Sequence, residues 1–175
     1  MLEGKNIILR PLKMNDWEKS IQWRNNLSIK EMAMMHPFPI TEMVEREWYE
    51  NIMKSKDDKV IYFTITTRDD DPIGFVLLNK INYTHKNCRL GIVIGETEEQ
   101  GKGYGQEATK MIIEYAFNKL NLRKVTLEVL SNNKAALHIY HKLGFVKEGE
   151  LKEHFFWDKK YSNIVIMSVF NNSFI

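Results

Sequence analysis

Apolar positions along the chain recur at two periods, and the changes between them lay out its elements. Ile7-Ile8-Leu9-Arg10-Pro11-Leu12 reads as a first strand. Asn15 or Asp16 then stands where a helix cap is needed, ahead of Trp17, Ile21 and Arg24. Residues 28–40 hold three methionines and two prolines. Proline cannot continue a helix, so this segment reads as a short helix followed by an apolar loop. Thr41 caps the next helix, which runs to about Met53 with Val44, Trp48 and Ile52 at helical spacing. Val60 to Thr66 is a β-branched and aromatic strand, and Arg68 to Pro72 has the composition of a turn. Ile73 to Ile81 and Arg89 to Ile94 read as two further strands. Tyr104 to Leu120 carries the longest helical pattern, with an apolar stripe of Ala108, Met111, Ile112, Tyr115 and Ala116. Lys124 to Leu130 returns to strand, Asn133 to Leu143 to helix, and the rest from Phe145 gives two or three strands. Three consecutive strands in the middle exclude a doubly wound fold and point to an α/β domain with a mixed sheet.

Length and composition narrow the function without choosing it. A chain of 175 residues reads as one domain, residues 1–175, and 43% apolar with 27% charged residues argues against disorder. The 25 basic and 23 acidic groups divide as 13 and 13 in residues 1–87 and 12 and 10 in residues 88–175. No basic stripe results, so no nucleic-acid partner is expected. Apolar runs are short, as at Phe75 to Leu78, so no membrane partner is expected either. The start, with Glu3 and Arg10, is unlike a signal peptide. Cys88 stands alone, which excludes an intrachain disulfide and a multi-thiolate zinc site and fits a reducing, cytoplasmic location.

The most informative segment is Gln100-Gly101-Lys102-Gly103-Tyr104-Gly105, between a strand and the long helix. Glycine lets the backbone turn tightly and approach a ligand, and the first N–H groups of a helix have no internal partner. Together with the helix dipole they form a diphosphate-sized anion site, to which Lys102 adds a cation. The spacing is neither that of a P-loop nor the G-x-G-x-x-G fingerprint. A plain glycine-rich turn is the alternative reading.

Downstream lies Asn133-Lys134-Ala135-Ala136-Leu137-His138-Ile139-Tyr140-His141-Lys142-Leu143-Gly144-Phe145. The pattern Q-x-x-G-x-G followed by N-x-x-A-x-x-x-Y-x-x-x-G-F resembles the GNAT superfamily of N-acetyltransferases, most fully over residues 60–170. The resemblance implies a single domain with a mixed, mostly antiparallel central sheet flanked by helices. It implies acetyl-coenzyme A as co-substrate and transfer of its acetyl group to a primary amine by direct attack. On that basis Gln100, Gly101, Lys102, Gly103, Tyr104 and Gly105 hold the pyrophosphate. Ile92, Val93 and Ile94 splay from the neighbouring strand and pair with the pantetheine arm. Asn133 contacts that arm, Ala136 allows its close approach, and Tyr140 is the general acid. A tyrosine with a reference pKa of about 10 is protonated at neutral pH and can serve so. Without the surrounding motif, Tyr140 reads as a packed helix aromatic.

Within the superfamily the tail from Glu148 to Phe156 and Tyr161-Ser162-Asn163 resemble the branch of ribosomal-protein alanine and spermidine acetyltransferases. Lys80 to Lys86 and Trp23-Arg24-Asn25 are similar to acetyltransferases of amino-sugar nucleotides. The acceptor is therefore a small-molecule or peptide amine: a polyamine, a protein N-terminus or an amino sugar. Residues 24–40 are expected to shape its pocket, with Glu31, Met35 and His85 as substrate contacts. The methionines there form either an adaptable wall or packing under a loop. Relatives often carry a Glu near Arg89, so the general base is left open among His85, Glu31, His154 and water. That departure also leaves open a coenzyme-binding module without catalysis. No metal is expected, since His138 and His141 lack a third ligand, and a homodimer is left open.

Overall fold

In a computed structural model, which describes residues 1–171, eight strands join in one sheet. They are β1 (Leu2–Glu3), β2 (Ile7–Arg10), β3 (Ile61–Thr67), β4 (Pro72–Asn82), β5 (Asn87–Ile94), β6 (Lys124–Leu130), β7 (Val146–Trp157) and β8 (Lys160–Phe170). Their order is β1-β2-β3-β4-β5-β6-β8-β7, and every pairing is antiparallel except β5 with β6. Five α-helices flank the sheet: α1 (Trp17–Asn25), α2 (Leu27–Met32), α3 (Glu42–Lys54), α4 (Tyr104–Asn118) and α5 (Lys134–Lys142). This is the mixed sheet the pattern pointed to, mostly antiparallel as the resemblance implied. β1 has only two residues, too few to show a period in sequence.

Strand alternation sends the two faces to different partners. Leu78, Leu90, Val125 and Leu127 pack with Ala108, Ile112 and Ala116 of α4 in the main core, all buried. Two alanines on the buried stripe let the helix lie close to the sheet, and each large aliphatic side chain removed from water contributes about 1.5–3 kcal/mol. The opposite face holds a smaller cluster in which Val93 meets Trp23 and Ile29, with Met35 and Phe75 against it. β5, which leads toward the glycine loop, therefore lies between two anchored layers.

Two boundary expectations are corrected. Asp16 is the N-cap of α1 by position, as expected, but its carboxylate accepts from no N–H of that helix. It is buried and accepts from Arg10 Nη1 and Nη2, both at 2.8 Å, from the Lys13 N–H at 2.8 Å and from Thr64 Oγ1 at 2.7 Å. Burial alone would push its pKa up, but Arg10 and the two further donors hold it below the ordinary carboxylate value. A paired guanidinium outweighs one cap bond for a carboxylate in this setting. The long helix ends at Asn118 rather than Leu120, because the Leu120 N–H reaches back five residues to the Tyr115 carbonyl, which already accepts from the Lys119 N–H, and this wider closing bond ends the regular ladder. Thr41 and Asn133 cap α3 and α5, accepting from the N–H of Val44 at 3.4 Å and of Ala136 at 3.1 Å.

Candidate active site

The site begins where a ladder stops. β5 pairs with β6 only through Asn87, Cys88 and Arg89 against Lys124, Val125 and Thr126. Beyond them β5 stays bonded to β4 and β6 stays bonded to β8, so the two strands diverge. A cavity of about 560 Å³ opens at this wedge, lined by Leu90 to Ile94 on one side and Leu127 to Val129 on the other. Ser28, Met32 and Met34 from α2 and the segment after it contribute to the wall, as do Asn133, Ala136 and Tyr140 of α5 and its cap. The free end of β5 is held by close packing. The N–H groups of Gly95 and Glu96 bond to the Ile73 carbonyl, and a Cβ on Gly95 would lie 2.1 Å from Trp23 Cδ2.

The glycine loop then leads into α4. Gln100 donates from its side chain to the Ile94 carbonyl at 2.9 Å, tying the loop back to the end of β5. Gly101 and Gly103 have φ of +76° and +89°, a region in which L side chains are strained. Open space surrounds both where a Cβ would stand, so backbone conformation rather than crowding requires glycine there. Gln100 and Gly105 line the cavity; Gly101, Lys102, Gly103 and Tyr104 do not, and Tyr104 packs against the main core. Lys102 is not a free cation: its ammonium pairs with Glu99 at 2.9 Å on the exposed side of the loop. The anion-binding capacity at this point resides in the unpaired N–H groups of the first turn of α4. An open backbone cradle continuous with a strand wedge fits a long ligand that has a diphosphate and an amide-bearing arm.

Tyr140 stands at the cavity wall from α5, its ring tilted against Phe145 at 5.6 Å between centroids. Burial pushes its phenol up to about 12, so it is fully protonated at neutral pH. No protein group bonds to its hydroxyl among the described residues, which leaves the proton available to whatever occupies the cavity. Asn133 accepts from the Ala136 N–H with its carboxamide oxygen, and its amide nitrogen has no hydrogen-bond partner among the described residues.

The three residues expected to touch the acceptor are not brought together. His85 lies exposed in the turn between β4 and β5, and Glu31, on α2, is not among the residues lining the cavity. Met35 packs with Trp23 and Ile29 in the smaller core, whereas Met32 and Met34 line the cavity. The methionine segment thus supplies both packing and wall. Two lining residues escaped the sequence reading as partners: Arg89 of β5 donates from Nη2 to Oε2 of Glu128 of β6 at 2.7 Å. The signal was the parity of Lys124 to Leu130, in which Val125, Leu127 and Val129 claim one face and leave Thr126 and Glu128 to the other. Cys88 is buried and its thiol is pushed up to about 12 by that burial, so it is inert. Among the described residues no group of three or more His, Cys, Asp or Glu side chains is placed to hold a metal ion, and no helix is long and apolar enough to cross a membrane.

Comparison with known proteins agrees with this geometry. The family described as Acetyltransferase (GNAT) domain matches residues 6–146. The spermidine N(1)-acetyltransferase of Escherichia coli (strain K12) is 31% identical over 175 residues, all of this chain and 91% of that protein. The spermidine N(1)-acetyltransferase of Vibrio cholerae serotype O1 is 29% identical over 172 residues, 98% of this chain and 97% of that one. The crystal structure of spermidine N-acetyltransferase from Vibrio cholerae in complex with CoA and spermine superposes with a TM-score of 0.87 at 30% identity, covering 94% of this chain and 95% of that one. The chain belongs to the GNAT acetyltransferase family and is an acetyl-coenzyme A-dependent N-acetyltransferase that acts on a primary amine.

Proposed function

We propose that the acceptor is a polyamine of the spermidine type and that Tyr140 is the general acid of the transfer. Similarity to spermidine acetyltransferases along the whole chain, rather than over the coenzyme half alone, carries the choice of acceptor. The coenzyme is assigned to the backbone of Gln100 to Gly105, to Ile92, Val93 and Ile94 in the wedge, and to Asn133 and Ala136. Support for this comes from the unpaired inner edges of β5 and β6, which leave main-chain groups able to bond an amide-bearing arm.

In this reading each residue has a limited task. The wedge and the glycine loop hold the thioester so that its carbonyl faces the acceptor side of the cavity. The acceptor must lose a proton before it attacks, because an alkylammonium has no lone pair. Its nitrogen then forms the C–N bond as the C–S bond breaks. Tyr140 gives its proton to the departing sulfur and regains one from solvent. The excess proton of the acceptor nitrogen leaves to water. Met32 and Met34 exclude bulk water from the acceptor side, which limits hydrolysis of the thioester.

The test is release of coenzyme A thiol from acetyl-coenzyme A in the presence of spermidine, spermine, an amino sugar and a peptide with a free N-terminus. Saturable turnover with the polyamines, at kcat/KM at least tenfold above the other amines, supports the proposal. Preference for the sugar or the peptide overturns the acceptor assignment while leaving the family chemistry intact.

A further inference from the structure

Arg89 and Glu128 are the only cation and the only carboxylate among the residues lining the cavity. Arg89 is the last residue of β5 to pair with β6, and Glu128 lies two residues beyond its partner Thr126. The ion pair therefore sits at the vertex of the wedge, inside the cavity. It is single-pronged, with only Nη2 and Oε2 engaged, and Glu128 Oε1 has no hydrogen-bond partner among the described residues. The two side chains keep 33% and 26% of their surface exposed. Directly across β4 from Arg89 is Asn79, which also lines the cavity and whose buried Oδ1 has no partner. Paired residues on neighbouring strands point to the same face, so Asn79, Arg89 and Glu128 form one row.

A cationic acceptor entering this cavity meets a carboxylate already neutralised by Arg89. An isolated buried acceptor oxygen one side chain away is costly as it stands. We propose that Glu128 is the docking carboxylate for the ammonium of the acceptor, and that Arg89 is its internal competitor. On substrate entry the ammonium takes Glu128, and the released guanidinium turns to Asn79 Oδ1, which gains the partner it lacks. The row is then a specificity device. It makes a weak cation pay for displacing Arg89 and favours an acceptor that carries further positive charge. This inference rests on the polyamine reading for the identity of the acceptor, and on acetyl transfer alone for its chemistry.

The competitor role makes a prediction of opposite signs. With spermidine varied at saturating acetyl-coenzyme A, Glu128→Gln raises KM roughly tenfold or more, leaves kcat within about twofold and leaves the Kd for coenzyme A unchanged. Glu128→Asp falls between that variant and the parent. Arg89→Gln lowers KM roughly threefold to tenfold, because the carboxylate no longer has to be freed. Asn79→Leu raises KM when Arg89 is present and has no effect in the Arg89→Gln background. A structural strap across the wedge predicts something else: Arg89→Gln and Glu128→Gln would both impair the enzyme, in step with losses of Tm. A KM raised by Arg89→Gln, or unchanged by Glu128→Gln, overturns the proposal. If the parent enzyme binds coenzyme A but ignores spermidine, the polyamine reading fails by itself. The same variants are then read on the amine that does turn over, and the sign of the Arg89→Gln effect decides the role of Glu128.

Discussion

Gly105 offers a substitution whose effects on stability and on function point in opposite directions. It is the second residue of α4, and it lines the cavity. A Cβ built there meets only Ile94 Cγ1, at 3.5 Å, which is ordinary van der Waals contact, and its φ lies outside the left-handed region. Alanine is therefore sterically acceptable to the protein. Replacing glycine by alanine in a helix is worth about 0.5–1 kcal/mol, mostly through the unfolded chain, and somewhat less in the first turn. For a domain of this size that corresponds to a rise in Tm of roughly 1–4 °C. The new methyl stands at the start of α4, beside the N–H groups assigned to the pyrophosphate. Pushing a phosphate back by about one ångström breaks charge-assisted hydrogen bonds worth about 1.5–3 kcal/mol each, so affinity for coenzyme A falls roughly tenfold to a hundredfold. Differential scanning calorimetry without ligand and titration calorimetry with coenzyme A measure the two effects separately. Gly103→Ala is the comparison, since its φ of +89° makes alanine strained at about 1–2 kcal/mol and lowers Tm. A Gly105→Ala protein with raised Tm and unchanged affinity for coenzyme A refutes the assignment of this backbone to the phosphates. A lowered Tm refutes the reading of its steric surroundings.

Tyr140→Phe removes a hydroxyl without a protein partner, so Tm stays within about 2 °C and affinity for coenzyme A is kept, while kcat falls roughly 10²- to 10⁴-fold; an unchanged kcat removes Tyr140 from the mechanism. Gly95→Ala places a methyl 2.1 Å from Trp23 Cδ2, forcing α1 or the end of β5 to move, and the expected loss of about 2 kcal/mol lowers Tm by roughly 4–8 °C; an unshifted Tm would show that this packing yields freely. Alkaline titration reads three buried groups at once. Cys88 is raised from 9.0, and Tyr49 and Tyr140 from 10.0, each to about 12 by burial. Their neutral forms are favoured in the folded state, so the stability they contribute is whole below pH 9 and is lost as pH rises from 9 through 12. Cys88→Ala delays the onset of that loss to about pH 10, as followed by urea midpoints across the range.

Much of this was legible from one dimension because the informative features are local. A glycine loop followed by a helix, a capping Asn133 and a stop at Gly144 are properties of neighbouring residues, and periodicity alone outlined most of the elements. What escaped was set by parity and by tertiary partners. Asp16 looks like a cap until Arg10 and Thr64 arrive from other strands. Lys102 looks like a free cation until Glu99 folds against it. His85 and Glu31 share chemistry with an acceptor site but are absent from the cavity lining, His85 lying exposed in the turn between β4 and β5. Glu128 has the reverse history. It is inconspicuous in its strand and becomes the cavity's only acidic wall residue once β5 and β6 diverge.

The short ladder between β5 and β6 also divides the polypeptide in a way that concerns folding. Everything on the β1–β5 side of that seam comes from residues before Arg123, and everything on the β6–β8 side comes from residues after it. Each side is a contiguous stretch with its own hydrogen-bonded sheet, and three residue pairs are the whole of their strand pairing. Cohesion across the seam comes instead from apolar packing, in which Val125, Leu127, Phe145 and Met167 share one core with Leu90 and Ile112. Main-chain amides on the two sides can therefore open in separate cooperative units, with the later stretch able to exchange its protons as a block. A ligand that bonds to both inner edges at once would join the units, so that occupancy of the wedge turns a two-part unfolding process into a single one.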